Sequence, residues 1–146
     1  MKGGIGDDFL IANNKADKLI GGLGNDILTG SGFSDKFIFD TTPNAINNVD
    51  TITDFLSGTD KLWFSKAIFG AINEAGSSTG TAINVNEFWN NATGSELATT
   101  RFIYDATSGA LSYDADGSGA GAAVQVAIIG TTSHPNVAAA DIQVIA

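Results

Sequence analysis

Hydrophobic and polar positions alternate along the first forty residues with a period of nine. From Gly3 to Ile38 the chain divides without a gap into GGIGDDFLI, ANNKADKLI, GGLGNDILT and GSGFSDKFI. Each unit has six small or polar residues followed by a short apolar run. A large apolar residue stands at the eighth position of every unit: Leu10, Leu19, Leu28 and Phe37. This pattern predicts three-residue strands separated by six-residue turns.

A three-residue strand buries almost nothing alone, so the units must stack. If each unit makes half a turn of a coil, units 18 residues apart lie above one another, and their strands pair in two parallel sheets. The middle residue of each strand then points inward. We therefore predict an all-β fold with a short parallel β-roll over residues 1–39, capped by a C-terminal antiparallel β segment.

The outward strand positions differ between the two predicted sheets. The odd units place four mostly apolar residues there: Phe9, Ile11, Ile27 and Thr29. The even units place lysine and isoleucine there: Lys18, Ile20, Lys36 and Ile38. Because the first set is too apolar for water, we expect the C-terminal strands or the 50–69 segment to pack over that sheet and bury Phe9 and Ile27.

The pattern changes after the repeats. Residues 40–69 contain VDTITDF and SGTDKLWFS, two strands packing on the roll, with a predicted core of Ile52, Phe55, Leu62 and Phe64. Residues 70–96 are rich in Gly, Ser, Thr and Asn and predict a loop with one helical turn near 85–89. Apolar runs around turns in the last fifty residues predict a hairpin or three-stranded meander. We therefore predict a C-terminal β lobe over residues 70–146. The segments 1–39, 40–69 and 70–146 are expected to form one structural unit.

Composition and charge narrow the function. Hydrophobic residues make up 43% of the 146 residues, which favours a packed domain. Seven Lys plus Arg against sixteen Asp plus Glu give a net charge of −9, which disfavours nucleic acid partners and favours cations. The chain has no cysteine, and no apolar run or leading basic segment indicates a membrane span or a signal peptide.

Aspartate recurs with the same period, at the sixth position of every unit: Asp8, Asp17, Asp26 and Asp35. Stacking would bring Asp8 beside Asp26 and Asp17 beside Asp35, where bare carboxylates repel. A hard divalent cation between the loops would take two carboxylates and several turn carbonyls, which is the preference of calcium rather than magnesium. The turn glycines complete the candidate metal site: Gly3, Gly4, Gly6, Gly21, Gly22, Gly24 and Gly30.

Two units, GGIGDDFLI and GGLGNDILT, match GGxGxDxUx, where U is a large apolar residue, at every fixed position. The stretch resembles the calcium-binding repeat of RTX, or haemolysin-type, proteins. VDTITDFLSGTDKLWFS is similar to the DxIxDFxxGxDxI segment that follows such repeats. FIYDATSGALSYDADGSGAGAAVQVAIIG resembles the C-terminal segment of serralysin-like RTX proteases and related exoproteins.

The resemblance implies the C-terminal β-roll of a larger secreted protein, exported without an N-terminal signal by type I secretion machinery. Such a roll stays unfolded at low cytosolic calcium and folds outside the cell. The ending Asp141–Ile145 resembles an acidic and apolar secretion signal. The expected work of the domain is therefore calcium-triggered folding and presentation of the extreme C-terminus, with calcium ions and the secretion machinery as partners.

The repeats also depart from the consensus. The second unit replaces the glycines, with Asn13 and Asn14 expected to supply positive φ, and the fourth unit places Phe33 where the last glycine belongs. We therefore expect Asp8 and Asp26 to bind more regularly than Asp17 and Asp35. The next position in the column is Asn44, so either Asp40 or Asp50 closes the final site, and Asp50 is preferred.

Other polar residues have competing interpretations. Asp54 and Asp60 are either ligands or turn residues. Asp114 and Asp116 favour a hairpin turn, because Gln125 stands where an EF-hand would need glutamate. His134 has no partner His or Cys for catalysis or zinc binding. Trp63 and Trp89 favour core packing over a sugar platform.

Three classes of function are distinguished by these residues. A secreted calcium-binding domain is preferred, with any extracellular ligand unidentified. The alternative is a calcium-stiffened adhesin or carbohydrate-binding module whose 70–146 lobe contacts the partner. A hydrolase is disfavoured, because the chain lacks GxSxG and HExxH and its periodic carboxylates are assigned to the repeat.

Overall fold

A computed structural model describes residues 1–92 and 96–146 of the chain. Thirteen strands are described: β1 (Lys2–Ile5), β2 (Phe9–Ile11), β3 (Lys18–Leu23), β4 (Ile27–Thr29), β5 (Lys36–Phe39), β6 (Asp50–Ile52), β7 (Lys61–Ser65), β8 (Thr81–Ala82), β9 (Phe88–Asn90), β10 (Phe102–Tyr104), β11 (Ala110–Tyr113), β12 (Val124–Ile129) and β13 (Ile142–Ile145). Two 3₁₀ turns, η1 (Val85–Glu87) and η2 (Ala139–Asp141), accompany them. The predicted helical turn near 85–89 corresponds to η1. Part of the predicted 70–96 loop, residues 93–95, lies outside the described residues.

The repeat strands form the predicted roll. One sheet has the order β1-β3-β5-β7-β13-β8, and the other has the order β2-β4-β6-β12-β11-β10-β9. Within the repeats every pairing is parallel and joins residues 18 apart, as Leu10 with Leu28 and Leu19 with Phe37. Each nonapeptide therefore makes half a turn, and the all-β class with its parallel roll is confirmed.

The rest of the chain lengthens the same two sheets. Strands β6 and β7 pair in parallel with β4 and β5, and β12 and β13 then pair in parallel with β6 and β7. Strands β10, β11 and β12 form the predicted antiparallel meander. Both sheets contain strands from all three predicted segments.

The core lies between the two sheets. The predicted inward column, residues 10, 19, 28 and 37, is buried, and the predicted core residues of the 40–69 segment are buried as well. Aromatic rings fill the wider, C-terminal part of the space. Phe64 stacks on Phe39 with ring centroids 4.7 Å apart and lies 4.5 Å from the ring of Phe102. Burial of these rings supplies the apolar area that three-residue strands lack.

The expectation that later strands cover the outer face of the odd-unit sheet is wrong. Phe9 is 66% exposed, Ile27 is 39% exposed, and Ile11 is exposed beside them. Strand β6 pairs with the edge of β4 instead of packing over its face. Edge pairing satisfies backbone N–H and C=O groups as well as burying inward side chains, whereas face packing would leave those edge groups unpaired.

The two tryptophans are placed differently. Trp63 on β7 is buried, and its Nε1 donates to Gln143 Oε1 at 2.8 Å. Lys18 on β3 reaches across β5 in the same sheet, with its Nζ 4.9 Å from the centroid of the Trp63 ring. Trp63 is thus a packing residue, as predicted, while Trp89 on β9 is half-buried.

The extreme C-terminus is not presented by the folded domain, contrary to the expectation. Strand β13 lies between β7 and β8, and its Ile142 and Val144 are fully buried. Ahead of the strand, the Asp141 carboxylate accepts hydrogen bonds from Ser57 Oγ at 2.6 Å and from Gly58 N at 2.8 Å. The segment that resembles a secretion signal is therefore part of the sheet in the folded state. No helix among the described residues is long and apolar enough to cross a membrane.

Candidate metal centre

The turns of the roll line up along its two edges. Edge one contains the turns that lead from the first sheet to the second: residues 6–8, 24–26 and 40–49. Edge two contains the turns that lead back: residues 12–17, 30–35 and 53–60. Each edge therefore has a carboxylate at every layer, placed directly before a strand or, at Asp50, as its first residue.

On edge one the glycines permit both the backbone conformation and the spacing of the layers. Gly22 has φ +112°, and a Cβ built on it would overlap the carbonyl oxygen of Gly4 in the layer below. Gly4, Gly6 and Gly24 also have positive φ. Only glycine combines this conformation with so close an approach of two backbones. The turn backbones consequently stack tightly enough for consecutive loops to share a ligand.

Backbone N–H groups hold the carboxylates in register. On edge one, Asp26 Oδ1 accepts from Asp8 N at 2.8 Å, and Asp50 Oδ1 accepts from Asp26 N at 3.2 Å. On edge two, Asp35 Oδ1 accepts from Asp17 N at 2.8 Å. We call these stacked carboxylates the aspartate ladder. Each bond fixes one oxygen of the side chain and directs the other into the edge.

The second oxygens of three ladder residues have no partner. Asp8 Oδ2, Asp26 Oδ2 and Asp35 Oδ2 are buried and make no hydrogen bond. The glycine that begins each of these units leaves the space in front of the oxygen free, because a Cβ at Gly3, Gly21 or Gly30 would collide with it. Buried carboxylate oxygens are costly unless they are paired or bind a metal. The donor chemistry and the free space fit a hard cation.

Burial and mutual repulsion destabilise the charged ladder without a cation. Burial, together with the neighbouring Asp26 carboxylate, raises the pKa of Asp50 to about 7. Burial also raises the pKa of Asp35, with the charges of Asp60 and Asp17 adding to the effect. Within the described residues, no three His, Cys, Asp or Glu side chains are placed to hold an ion by themselves. Turn carbonyls would therefore have to supply most of the ligands, which suits calcium.

The second unit is the least suited to an ion. It has Ala12 where the other three units begin with glycine, and Asp17 Oδ2 accepts a hydrogen bond from Asn13 N at 3.3 Å. The expectation that Asn13 and Asn14 adopt positive φ is wrong, since positive φ at non-glycine residues occurs elsewhere in the described chain. The turn relaxes into another conformation because its side chains do not favour the glycine geometry. The turns of edge one are consequently more regular than those of edge two, which is the difference that the sequence predicts.

The fourth unit keeps the glycine-like conformation without the glycine. Phe33 has φ +70° and its side chain is 66% exposed. Replacing Phe33 by glycine should raise the free energy of unfolding by about 1 kcal/mol, because a bulky residue pays roughly that cost in the left-handed region. Urea denaturation in calcium measures the gain. Phe33→Ala is the matched control, since it removes the exposed ring but retains the Cβ, and an equal gain there would assign the effect to the ring.

The ladder ends differently on the two edges. Asp50, the preferred closing residue, lies in register with Asp26, whereas Asp40 forms an ion pair with Lys2 at 3.4 Å. Asp60 closes edge two by accepting from Asp35 N at 2.9 Å, but its Oδ2 is occupied by Leu56 N at 2.8 Å. From the sequence alone, Asp60 is either a ligand or a turn residue. Its spacing of 25 from Asp35 hides it from a nine-residue count, and only its place in VDTITDFLSGTD indicated it.

The remaining acidic candidates are turn residues. Both oxygens of Asp54 accept backbone N–H groups, from Gly30 at 2.9 Å and Ser31 at 2.7 Å. Asp114 Oδ1 accepts from Asp116 N and Gly117 N in the turn between β11 and β12. These hydrogen bonds explain the positions of the aspartates, and no metal ion is needed.

The comparison with known proteins agrees with this geometry. A search of curated proteins finds no match to the chain. Among protein families, the RTX calcium-binding nonapeptide repeat matches in four copies over residues 2–37, the part of the chain that carries β1 to β4 and the start of β5. The four nine-residue units of the roll are therefore similar to RTX calcium-binding nonapeptide repeats.

Proposed function

We propose that the chain is the calcium-binding C-terminal domain of an extracellular RTX protein, which folds when calcium binds. The observation that carries the proposal is the aspartate ladder, whose Asp8, Asp26 and Asp35 leave buried, unpartnered oxygens beside glycine turns. Calcium would supply the positive charge that these oxygens lack. The remaining ligands would be backbone carbonyls of the stacked turns.

Calcium concentration would decide when the domain folds. Extracellular calcium modules commonly have dissociation constants of about 10⁻⁴ to 10⁻³ M, far above cytosolic calcium. A ligand that binds only the folded state stabilises it by mass action. The net charge of −9 opposes compaction until cations arrive. The chain would thus stay open in the cytosol and fold outside the cell.

We further propose that the C-terminal segment carries a type I secretion signal, read before the domain folds. In the folded domain β13 is buried between β7 and β8, so the secretion machinery could reach it only in the open chain. Calcium-dependent folding would then separate the two roles of this segment in time. The proposal assigns no catalytic role to the domain itself, because its aligned carboxylates belong to the ladder.

Far-UV circular dichroism during a calcium titration tests the proposed function. We expect a chelator-treated chain to gain β signal at submillimolar to millimolar calcium, because binding offsets the repulsion along the ladder. Magnesium at the same concentrations should produce much less, since it demands an octahedral shell and keeps its waters. A full β spectrum in chelator, or an equal response to magnesium, would contradict calcium-triggered folding.

A further inference from the structure

Outside the roll, the chain pairs two of its three glutamates. Glu87 ends η1 and is only 1% exposed, and Glu74 lies half-buried in the preceding loop. The two side chains are anchored crosswise. Glu87 Oε1 accepts from Asn73 N at 2.9 Å, and Glu74 Oε1 accepts from Asn84 N at 3.0 Å. Glu87 thus binds the backbone next to Glu74, and Glu74 binds the N-cap residue of η1, which fixes both carboxylates.

The second carboxylate oxygens of the two glutamates are buried and unpartnered, like those of the aspartate ladder. Glu74 Oε2 and Glu87 Oε2 are buried and make no hydrogen bond to the described residues. Every other buried, unpartnered carboxylate oxygen among the described residues belongs to the ladder. In Asp26, Asp35 and both glutamates, one oxygen accepts from a backbone N–H and the other is buried without a partner. This repeated arrangement is what a cation site requires of its carboxylates.

The nearby basic side chains do not bind the two glutamates. Arg101 lies beside η1, with its N donating to Glu87 O at 2.7 Å, but its guanidinium donates to the carbonyls of Ala71 and Thr100. Lys66 Nζ donates to the carbonyls of Gly70 and Ile72. The ion pairs found among the described residues do not include either glutamate. The two carboxyl groups therefore face each other without a compensating side-chain charge.

Such a pair is unfavourable when both members are ionised. Burial, followed by the neighbouring Glu74 carboxyl group, raises the pKa of Glu87 to about 7. The groups are close enough for Glu74 to hydrogen bond with Glu87 when one of them is protonated. A cation between the two carboxylates would relieve this repulsion and would satisfy both unpartnered Oε2 atoms at once.

We propose that Glu74 and Glu87 form a second site for a hard divalent cation of the calcium class, separate from the roll. The two Oε2 atoms are the protein ligands that define it. Because both Oε2 atoms are buried, water would have to enter beside half-buried Glu74 to complete the shell. The ion joins the loop at residues 73–74 to η1 and thereby holds the 70–90 segment against the end of the roll. A proton shared by the pair is the competing occupant.

The number of calcium ions bound per chain tests the site. Equilibrium dialysis of the full chain against calcium alone compares the wild type with Glu87→Gln and Glu74→Gln, which keep the length and one acceptor of each side chain. Both variants should bind one ion fewer. Glu96→Gln removes the same charge from an exposed residue and should bind as many ions as the wild type. If Glu87→Gln fails to fold, the variant at half-exposed Glu74 decides.

Two outcomes separate this site from the roll. If the glutamate variants bind as many ions as the wild type, the second site is overturned. If each substitution also removes one bound proton from the folded chain, the pair shares a proton instead. Conversely, Asp26→Asn should reduce the ions bound by the roll while the ion that depends on Glu87 is retained. A wild-type chain that shows no calcium-dependent change in circular dichroism but still binds the glutamate-dependent ion contradicts the proposed function and supports this site.

Discussion

Replacing Asp26 by asparagine should shift the calcium-induced folding transition to at least about tenfold higher calcium, because ligand charge sets the affinity of such sites. Asp26 is the central member of edge one, between Asp8 below and Asp50 above. Its buried Oδ2 therefore lies where ions in two successive layers would bind. At calcium about 100-fold above its dissociation constant, each ion lost removes about 2.7 kcal/mol of stabilisation. Circular dichroism during a calcium titration measures the shift.

The neighbouring aspartate provides the matched control. Asp7 carries the same charge on the same edge, but it is exposed, and its Oδ1 accepts from Asn25 N at 2.7 Å. Asp7→Asn should leave the transition within about twofold of the wild type, since a surface charge contributes little. In chelator, Asp26→Asn should instead stabilise the folded state relative to the wild type, because removing a buried charge relieves the repulsion with Asp50. Equal shifts in the two variants would show that net charge, not ligation, controls folding.

The periodic part of the molecule could be predicted from the sequence. Leu19 and Leu28 are buried, and Asp8 lies in register with Asp26, because a fixed nine-residue period leaves one way of stacking the units. Asp50 could be placed as well, although non-repeating chain separates it from the last repeat, because it begins the short strand Asp50–Ile52. The local pattern was sufficient to place a residue in the fold wherever the turn length was constant.

The remaining features depend on contacts between distant segments. Asp60 and Glu87 are positioned by turns of irregular length, so no spacing connects them with Asp35 or Glu74. The exposed outer face around Phe9 was also mispredicted. An apolar outer position indicates that burial is favourable, but it does not say whether later strands pack over a face or extend an edge. Here unpaired backbone groups at the edges decided the outcome.

The two parts of the chain depend on one another through the sheets. The repeats end at β5, and β6, β7, β12 and β13 then continue both sheets in parallel. A four-unit roll buries little more than its central column, whereas the C-terminal part contains the aromatic cluster of Phe64, Phe69 and Phe102. Calcium binding at the edges therefore orders strands that are already joined to the larger core, which makes one cooperative transition the expected behaviour.

Replacing Phe37 by alanine should lower the free energy of unfolding in saturating calcium by about 3–5 kcal/mol. Phe37 is fully buried, pairs in register with Leu19 and Leu62, and contacts Phe55 with ring centroids 6.1 Å apart. Its removal leaves a cavity where the repeat column meets the C-terminal core. Since domains of this size are stable by about 5–15 kcal/mol, this is a large fraction of the total. Urea denaturation with calcium held constant measures it.

Phe9→Ala is the matched substitution on the outside of the same roll. Phe9 is 66% exposed, and its ring faces away from the space between the sheets. The variant should change the free energy of unfolding by no more than about 0.5 kcal/mol, as exposed substitutions generally do. A cost at Phe9 comparable to that at Phe37 would mean that the outer face is covered in solution. A small cost at both would mean that the inward column does not hold the roll together.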